Sequence, residues 1–281
     1  MAKVLMFHRV LPDKLITQPN AYSTFGTLIS QEYFEEVLSC LIANGFQFVA
    51  ISELTQQSDT DQLIALTFDD GYSDNFDFAF PSLQKFKATA TFFPVVNPCK
   101  DNSVLPLDTY YQCVDESELT AEQRNDFISG KTKKKFYWSE PTEQMKFLKT
   151  SFQKLPTQNR VKYLQPQQIK ILSDNGFEIG SHSMTHSLFT AEYMNENKTN
   201  FELKQSKIYL EGITGKPVNS FCFPSGYYNS KAIEQAKEIG FTSVCVIKKN
   251  QNEEAQALPS FERMFVKPNS INELLTALKS K

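Results

Sequence analysis

The sequence predicts an α/β fold built around parallel strands, and two observations lead to that prediction. Apolar segments of strand length alternate with helical segments along most of the 281 residues. One apolar segment, 63–71, ends abruptly in Asp69, Asp70 and Gly71. A short apolar run closed by a turn signal is typical of a buried strand in a parallel sheet. Strands that alternate with helices indicate a parallel sheet or barrel.

In the first part of the chain, the apolar run 3–7 predicts a strand with His8 just beyond its end. Residues 11–29 show no periodicity and predict a long loop. From 30 to 44 the apolar residues recur at helical spacing, and Gly45 stands where a left-handed C-cap residue belongs. The composition further predicts strands at 46–51, 63–71 and 88–96, the last rich in β-formers, and a helix over 72–86 with a kink at Pro81.

The alternation stops between about 97 and 164, a stretch too long for an ordinary loop. We predict an inserted helical subdomain there, with helices near 116–128 and 142–154, within a single domain that spans 1–281. The insertion contains Tyr110, Tyr111, Tyr137 and Trp138, which either stack on sugar rings or pack inside the insertion. The lysine run 133–135 is interpreted as a solvated face.

The alternation resumes after the insertion. Glycines follow two of the predicted helices at the C-cap position, and a Pro-Ser-Gly turn follows one of the strands. The predicted helices are 167–175, 199–212, 230–239 and 271–278, and the predicted strands are 177–180, 218–223, 241–247 and 260–267.

Composition excludes some classes of function. The net charge of −3 and the pI near 5.8 argue against binding to nucleic acid or to an anionic membrane surface. The five cysteines are odd in number and form no C-x-x-C pair, which favours reduced thiols in a cytosolic protein. No stretch approaches the roughly 20 apolar residues of a membrane helix, and the start does not look like a signal peptide. We therefore expect a cytoplasmic protein without a membrane span; its oligomeric state stays open.

Two of the three histidines, His182 and His186, follow the predicted strand 177–180. A His-x-x-x-His spacing on a helical turn puts both imidazoles on one side, close enough to share a metal ion. Asp69 and Asp70 end another strand at the same level of the sheet. Because neighbouring side chains on an extended segment diverge, these two acids can do different jobs. Two nitrogens, one carboxylate and open positions form the ligand set of a hydrolytic metal site, although Asp-Asp-Gly taken alone is better explained as a plain turn.

These motifs resemble the polysaccharide deacetylases, the carbohydrate esterases with NodB homology. The first family motif, T-F-D-D-G, is present at 67–71, and the second is present at 182–186 as H-S-M-T-H. The third appears degraded at 221–226, as F-C-F-P-S-G. The resemblance covers nearly the whole chain apart from the insertion.

The resemblance implies a distorted (β/α) barrel that binds one divalent metal ion, usually zinc, with Co, Ni, Mn or Fe as alternatives. It implies Asp70, His182 and His186 as metal ligands and Asp69 as the general base. A backbone N–H of the third motif, here that of Ser225, would stabilise the oxyanion. The implied reaction removes acetyl groups from N-acetylated sugars in a glycan or a glycan precursor.

The sequence departs from the family in two places. Cys222 replaces the third-motif arginine that orients the catalytic base, and a late histidine motif that supplies the general acid is absent. A subgroup of the family has a histidine at the end of its first strand, so we expect His8 to be the general acid. Arg263 would replace the lost arginine, unless it forms a surface ion pair. Two other functions stay open: a metal-dependent amidase acting on a non-sugar amide, and a catalytically inactive carbohydrate-binding relative.

Overall fold

The computed structural model of the chain describes residues 3–18, 20–57, 60–152, 154–156, 160–247, 258–267 and 271–279. The strands are β1 (Lys3–Phe7), β2 (Arg9–Leu11), β3 (Leu28–Ser30), β4 (Gln47–Val49), β5 (Leu63–Asp70), β6 (Thr91–Pro94), β7 (Glu178–Ile179), β8 (Ser220–Cys222), β9 (Ser243–Val246), β10 (Ser260–Glu262) and β11 (Met264–Phe265). The helices are α1 (Ala21–Phe25), α2 (Gln31–Ala43), α3 (Ile51–Leu54), α4 (Phe80–Lys85), α5 (Val96–Asp101), α6 (Pro106–Glu116), α7 (Ala121–Ser129), α8 (Lys131–Trp138), α9 (Pro141–Ser151), α10 (Pro166–Asp174), α11 (Glu196–Thr214), α12 (Ser230–Ile239) and α13 (Ile271–Lys279).

All pairings between these strands are parallel, which confirms the predicted α/β class. β5 lies at the centre, with β1 along one edge and β4 and β6 along the other. From β6 the pairing continues to β7, crosses to β8 through a bridge between Ser181 and Phe221, and reaches β9 and β10. Only Arg263 separates β10 from β11, which pairs with β1. The chain between β10 and β11 therefore links the β8–β10 sheet back to the edge of the central sheet.

Phenylalanines hold the central strands together. Phe7, Phe68 and Phe92 are register partners on β1, β5 and β6, and their rings stack with centroids 5.3 and 5.0 Å apart. Phe34 of α2 meets Phe7 and Phe68 edge-on, so the helix packs directly against this aromatic row. Such ring pairs add roughly 0.5–1.5 kcal/mol each beyond the burial of apolar area. The row fixes the strand ends from which the functional side chains project.

The described residues of the insertion form five helices, α5 to α9, whereas the sequence predicted two. Its interior is aromatic: Tyr110 is fully buried and stacks on Phe136 at 4.4 Å, with Phe127, Phe147 and Phe152 around it. This packing gives Tyr110 a structural use within the insertion. Tyr111 is also buried, but it lies against the cleft described below.

The predicted loop at 11–29 is wrong in part, because it contains α1 and the parallel pair β2–β3. Asn20 caps α1 by accepting a hydrogen bond from the N–H of Ser23, and Gly26 ends the helix in the left-handed conformation. A five-residue helix is too short to show a periodic pattern, so these elements escape sequence reasoning. All eight predicted strands are present, although 260–267 is divided at Arg263.

All five cysteines are free, and all except Cys40 are buried, as expected. Among the described residues, none of the helices combines the length and the apolar character needed to cross a bilayer.

Candidate metal and catalytic site

Asp69 and Asp70 end β5, as predicted, but their side chains do not diverge as an extended strand requires. Asp70 has a positive φ of 68°, so the backbone leaves the extended conformation there and both carboxylates line one cleft. Gly71 follows with φ 74°, and a Cβ atom at this position would lie 2.8 Å from Cβ of Pro94. Glycine is therefore required for the close approach of this turn to β6.

The predicted helical turn over 182–186 is wrong, since this segment is an irregular loop. Ser183 and His186 have φ values of 74° and 63°, a conformation that costs roughly 1–3 kcal/mol for a non-glycine residue. Side chains hold the loop in this shape. The N–H of His186 donates to Oγ of Ser183 at 2.9 Å, and the buried Glu202 accepts from the N–H groups of Met184 and Thr185 at 2.9 and 3.0 Å. The loop therefore brings the imidazoles together by a different geometry, with ring centroids 5.0 Å apart.

Asp70, His182 and His186 place three possible ligand atoms within 4.8 Å of one another. Oδ1 of Asp70 lies 3.5 Å from Nε2 of His182 and 3.3 Å from Nε2 of His186. Ligands bound to one tetrahedral ion at about 2.1 Å are about 3.4 Å apart, so these distances fit a shared metal. Oδ1 of Asp70 is also buried without a hydrogen-bond partner in the described part of the chain. Burial and the charge of Asp69 raise the pKa of Asp70, and a cation at this position would favour its ionised form.

The orientation of His182 supports the same ligand set. Its Nδ1 lies 2.7 Å from the carbonyl oxygen of Cys222 and donates to it, which leaves the lone pair of Nε2 directed at Asp70. Burial lowers the pKa of both His182 and His186, so both rings are neutral ligands. A hydrogen bond to a backbone carbonyl is the usual way in which a protein fixes a metal-binding imidazole.

Asp69, His182 and Cys222 form a second cluster of possible ligands. Both oxygens of Asp69, however, accept hydrogen bonds from Arg263. Burial raises the pKa of Cys222 well above its usual value, so its thiol keeps the proton that a metal ligand must lose. The first cluster is therefore the better metal site.

Arg263 binds Asp69 in a two-pronged contact, with NH1 2.6 Å from Oδ1 and NH2 2.7 Å from Oδ2. NH1 also donates to Oγ1 of Thr67 at 3.2 Å. Arg263 is only 3% exposed, so the alternative of a surface ion pair is wrong. Burial alone would raise the pKa of Asp69, but the charge and hydrogen bonds of Arg263 hold it well below its usual value. Asp69 is therefore ionised at neutral pH. Sγ of Cys222 lies 3.8 Å from Oδ1 of Asp69, on which Arg263 makes the shorter contact.

His8 follows β1, and its Nε2 lies 4.0 Å from Oδ2 of Asp69. Its ring meets that of Phe265 edge-on, with centroids 5.6 Å apart, and Phe265 lies on β11, which pairs with β1. Burial lowers the pKa of His8 to about 4, although the charge of Asp69 opposes this shift. His8 is therefore neutral at pH 7, and Nδ1 has no hydrogen-bond partner among the described residues.

These groups line a cleft of about 460 Å³ that the insertion helps to enclose. Tyr137 of α8 contacts Oγ of Ser225 through its hydroxyl and lies 6.4 Å from the ring of His186. Ser225 has a positive φ of 54° in the turn after β8. Trp138 and Tyr227 also line the cleft and are 39% and 42% exposed. Their rings meet edge-on, with centroids 4.7 Å apart.

A buried network that sequence reasoning missed supports the metal site from the insertion. Asp108 of α6 accepts hydrogen bonds from the hydroxyls of Tyr22 and Tyr72 at 2.6 and 2.9 Å, and from that of Tyr163. Tyr72 directly follows Gly71, so the network adjoins Asp70. Cζ of Arg9 lies 4.8 Å from the ring centroid of Tyr22 and 5.1 Å from that of Tyr72. Asp108 is one of three acidic residues in α6, so the sequence gives no signal that distinguishes it.

Fold and site together define a class of protein: an α/β protein with parallel strands, in which a strand-end aspartate pair and two histidines surround one candidate metal position. Residues 56–244, more than half of the chain, match the polysaccharide deacetylase family, and the chain belongs to that family. The family consists of hydrolases that deacetylate carbohydrates. The chain is 19% identical over 270 residues to a Bacillus subtilis (strain 168) protein named "Putative polysaccharide deacetylase YxkH", and the match covers 94% of this chain and 71% of that protein.

Solved structures show the same fold. The Streptococcus pyogenes deacetylase PplD, in complex with acetate, matches with a TM-score of 0.68 at 18% identity and covers 99% of this chain and 97% of its own. IcaB from Ammonifex degensii matches with a TM-score of 0.65 at 19% identity, over 99% of this chain and 97% of its own. BC0361, a polysaccharide deacetylase from Bacillus cereus, matches with a TM-score of 0.66 at 20% identity, over 99% of this chain and 68% of its own.

Proposed function

We propose that this chain is a metal-dependent hydrolase that removes acetyl groups from N-acetylated sugars in a glycan or a glycan precursor. The observation that supports this most directly is the spacing of Asp70, His182 and His186 next to the ionised Asp69. Family membership supports the carbohydrate as substrate. On this proposal, residues 1–281 are one deacetylase domain with a helical insertion at about 97–164.

Asp70, His182 and His186 would hold one divalent ion, zinc or a related transition metal. When bound, such an ion supplies Lewis-acid polarisation of the acetyl carbonyl and lowers the pKa of water. The two imidazoles are neutral and Asp70, whose Oδ1 has no other partner among the described residues, would carry one negative charge. A bound divalent ion would therefore keep a net positive charge, which would stabilise the developing oxyanion.

Asp69 acts as the general base that accepts a proton from the attacking water. Arg263 keeps this carboxylate ionised and holds both of its oxygens in place, which is the role of the third-motif arginine that Cys222 replaces. A carboxylate with a low pKa is a weak base, so it accepts the proton only briefly and must pass it on.

His8 then protonates the leaving amine. Because His8 is neutral before reaction, it receives its proton from Asp69, 4.0 Å away, as negative charge develops on the attacked carbonyl. The backbone N–H of Ser225 donates to that oxyanion. The exposed rings of Trp138 and Tyr227 offer stacking faces for a sugar at the entrance to the cleft.

The test is acetate release from oligomers of N-acetylglucosamine and from simple N-acetyl amides without a sugar. The wild-type protein with bound metal should release acetate from the sugars, and Asp69→Asn should keep the metal and lose about a hundredfold or more in turnover. Faster hydrolysis of the non-sugar amides would favour the amidase. Sugar binding without acetate release at any metal content would favour the inactive carbohydrate-binding relative.

A further inference from the structure

Lys133 is a buried cation that faces the catalytic cleft. It belongs to α8 of the insertion, is only 9% exposed and lines the same cleft as Asp69, Asp70 and His8. This position corrects the interpretation of the lysine run as a wholly solvated face. Within the described part of the chain, its ammonium group has no carboxylate partner.

Aromatic rings hold Lys133 in this position. Nζ lies 3.3 Å from the ring centroid of Phe25 and 5.3 Å from that of Tyr111. Burial lowers the pKa of Lys133 to about 7, because the rings replace only part of the lost hydration. An ammonium group that is half desolvated and lacks a counterion gains most from an anion that enters the cleft.

Two further lysines stand nearby. Lys134 and Lys267 line the same cleft, and Cγ of Lys267 lies 3.4 Å from where a Cβ of Gly26 would stand, next to Phe25. Lys133 and Lys267 therefore flank the same end of α1. Among the described residues that line the cleft, the only carboxylates are Asp69, which Arg263 neutralises, and Asp70, which the metal site uses. The cleft is thus positive in a chain whose net charge is −3.

We propose that Lys133, with Lys134 and Lys267, forms a subsite for an anionic substituent, a phosphate or a carboxylate, carried by the acetylated sugar. This inference rests on the proposed function for the identity of the sugar. A positive cleft in an acidic protein selects anionic substrates over neutral ones. Neutral polymers of N-acetylated sugars would leave the buried ammonium without a partner.

Binding is measured first, so that the result does not depend on turnover. Trp138, the only tryptophan, lies in the cleft, and its fluorescence reports occupancy. The ligands are N-acetylglucosamine 1-phosphate, N-acetylmuramic acid and the neutral methyl glycoside of N-acetylglucosamine. We expect the wild-type protein to bind one or both anionic ligands at least about tenfold more tightly than the neutral one, with a preference that weakens as salt is added.

Lys133→Met, which keeps the apolar stem between the rings, should abolish most of that preference. Lys267→Met, at an exposed position, gives a second variant that does not disturb the interior and should reduce the preference by a smaller factor. Lys135→Met changes the same helix outside the cleft and should leave the preference intact. The phosphate and carboxylate ligands show which anion the subsite takes.

Equal affinity of the wild-type protein for the anionic and neutral ligands would overturn the subsite, whatever the protein does to acetyl groups. A preference that survives in both Lys133→Met and Lys267→Met would also overturn it. If the preference is present and is lost in Lys133→Met while no ligand releases acetate, the subsite stands and the proposed deacetylase activity fails.

Discussion

Arg263 determines whether the buried carboxylate of Asp69 can exist as an ion. Replacing it with methionine removes both hydrogen bonds to Asp69 and the one to Thr67, and leaves an uncompensated charge beneath the cleft. We expect Arg263→Met to lower the free energy of unfolding by about 3–5 kcal/mol. In the double variant Asp69→Asn/Arg263→Met no charge is left unpaired, so much of that loss should be recovered. Denaturant unfolding of the two single variants and the double variant measures the coupling. Additive losses would mean that the two side chains do not depend on each other.

The metal content of purified variants distinguishes the proposed metal ligands from the other residues of the cleft. His182→Ala removes one of three ligand atoms and should abolish metal binding or weaken it severely. His8→Ala is the matched control, because it deletes an imidazole from the same cleft that the proposed ligand set does not use. Elemental analysis after identical purification gives the comparison. Full metal occupancy in His182→Ala, or equal loss in His8→Ala, would contradict the assignment.

At the residue scale, the strand-end acids and the histidine spacing could be read from the sequence because they are local patterns. The contact between Asp69 and Arg263 could not be derived in that way, since 194 positions separate the two residues. Cys222 supplied the indirect signal: a motif that lacks its arginine needs a cation from another strand. Glu202 and Asp108 left no such signal, because a buried carboxylate resembles any surface acid until its partners are known.

Helix α6 connects the insertion to the metal site through Asp108. Burial raises the pKa of Asp108 although three tyrosine hydroxyls donate to it. A carboxyl group with a raised pKa in the folded state stabilises the fold fully below its unfolded pKa, near 3.8, and this contribution is lost as pH rises through the folded value. Asparagine does not titrate. The excess stability of the wild-type protein over Asp108→Asn should therefore shrink from pH 4 to pH 8, as measured by denaturant unfolding. A difference that grows with pH would contradict the raised pKa.

At the scale of elements, long periodic helices were predictable and irregular segments were not. The helix at 230–239 was predicted at its exact bounds, because its apolar face and the following glycine are explicit in the sequence. The loop at 182–186 has a helical spacing but a different backbone. Its positive φ angles depend on backbone N–H groups that donate to Oγ of Ser183 and to the carboxylate of Glu202 in the following helix. In the insertion, α6 and α8 were missed because neither shows a helical period: the buried residues of α6 are consecutive from 110 to 114, and α8 places its lysines before its aromatics.

The whole molecule brings the site together from separate strands. His8 follows β1, Asp69 lies on β5 and Arg263 joins β10 to β11, so three distant parts of the chain meet at one carboxylate. The sequence predicted the strands, and the structure pairs β1 with β11. The order of the strands between them depends on which apolar faces pack together, which a single sequence does not encode locally.

The proximity of His8 to Asp69 leads to a prediction that distinguishes proton donation to the leaving group from every other role of His8. An amine cannot leave without a proton, whereas the 4-nitrophenolate of 4-nitrophenyl acetate can. We expect His8→Gln to keep its metal and to lose about a hundredfold or more in turnover of an N-acetylated sugar, with a much smaller loss on the nitrophenyl ester. Because burial lowers the pKa of His8 to about 4, the neutral ring is the competent form before reaction. The pH profile of wild-type kcat/KM should therefore show no ionisation of His8 between pH 5 and 8.

Asp69→Asn is the control and should lose activity on both substrates, since both need the attacking water. Equal losses on the two substrates in His8→Gln would show that His8 acts on the attacking water or on binding, and near-normal turnover of the sugar would remove it from the mechanism.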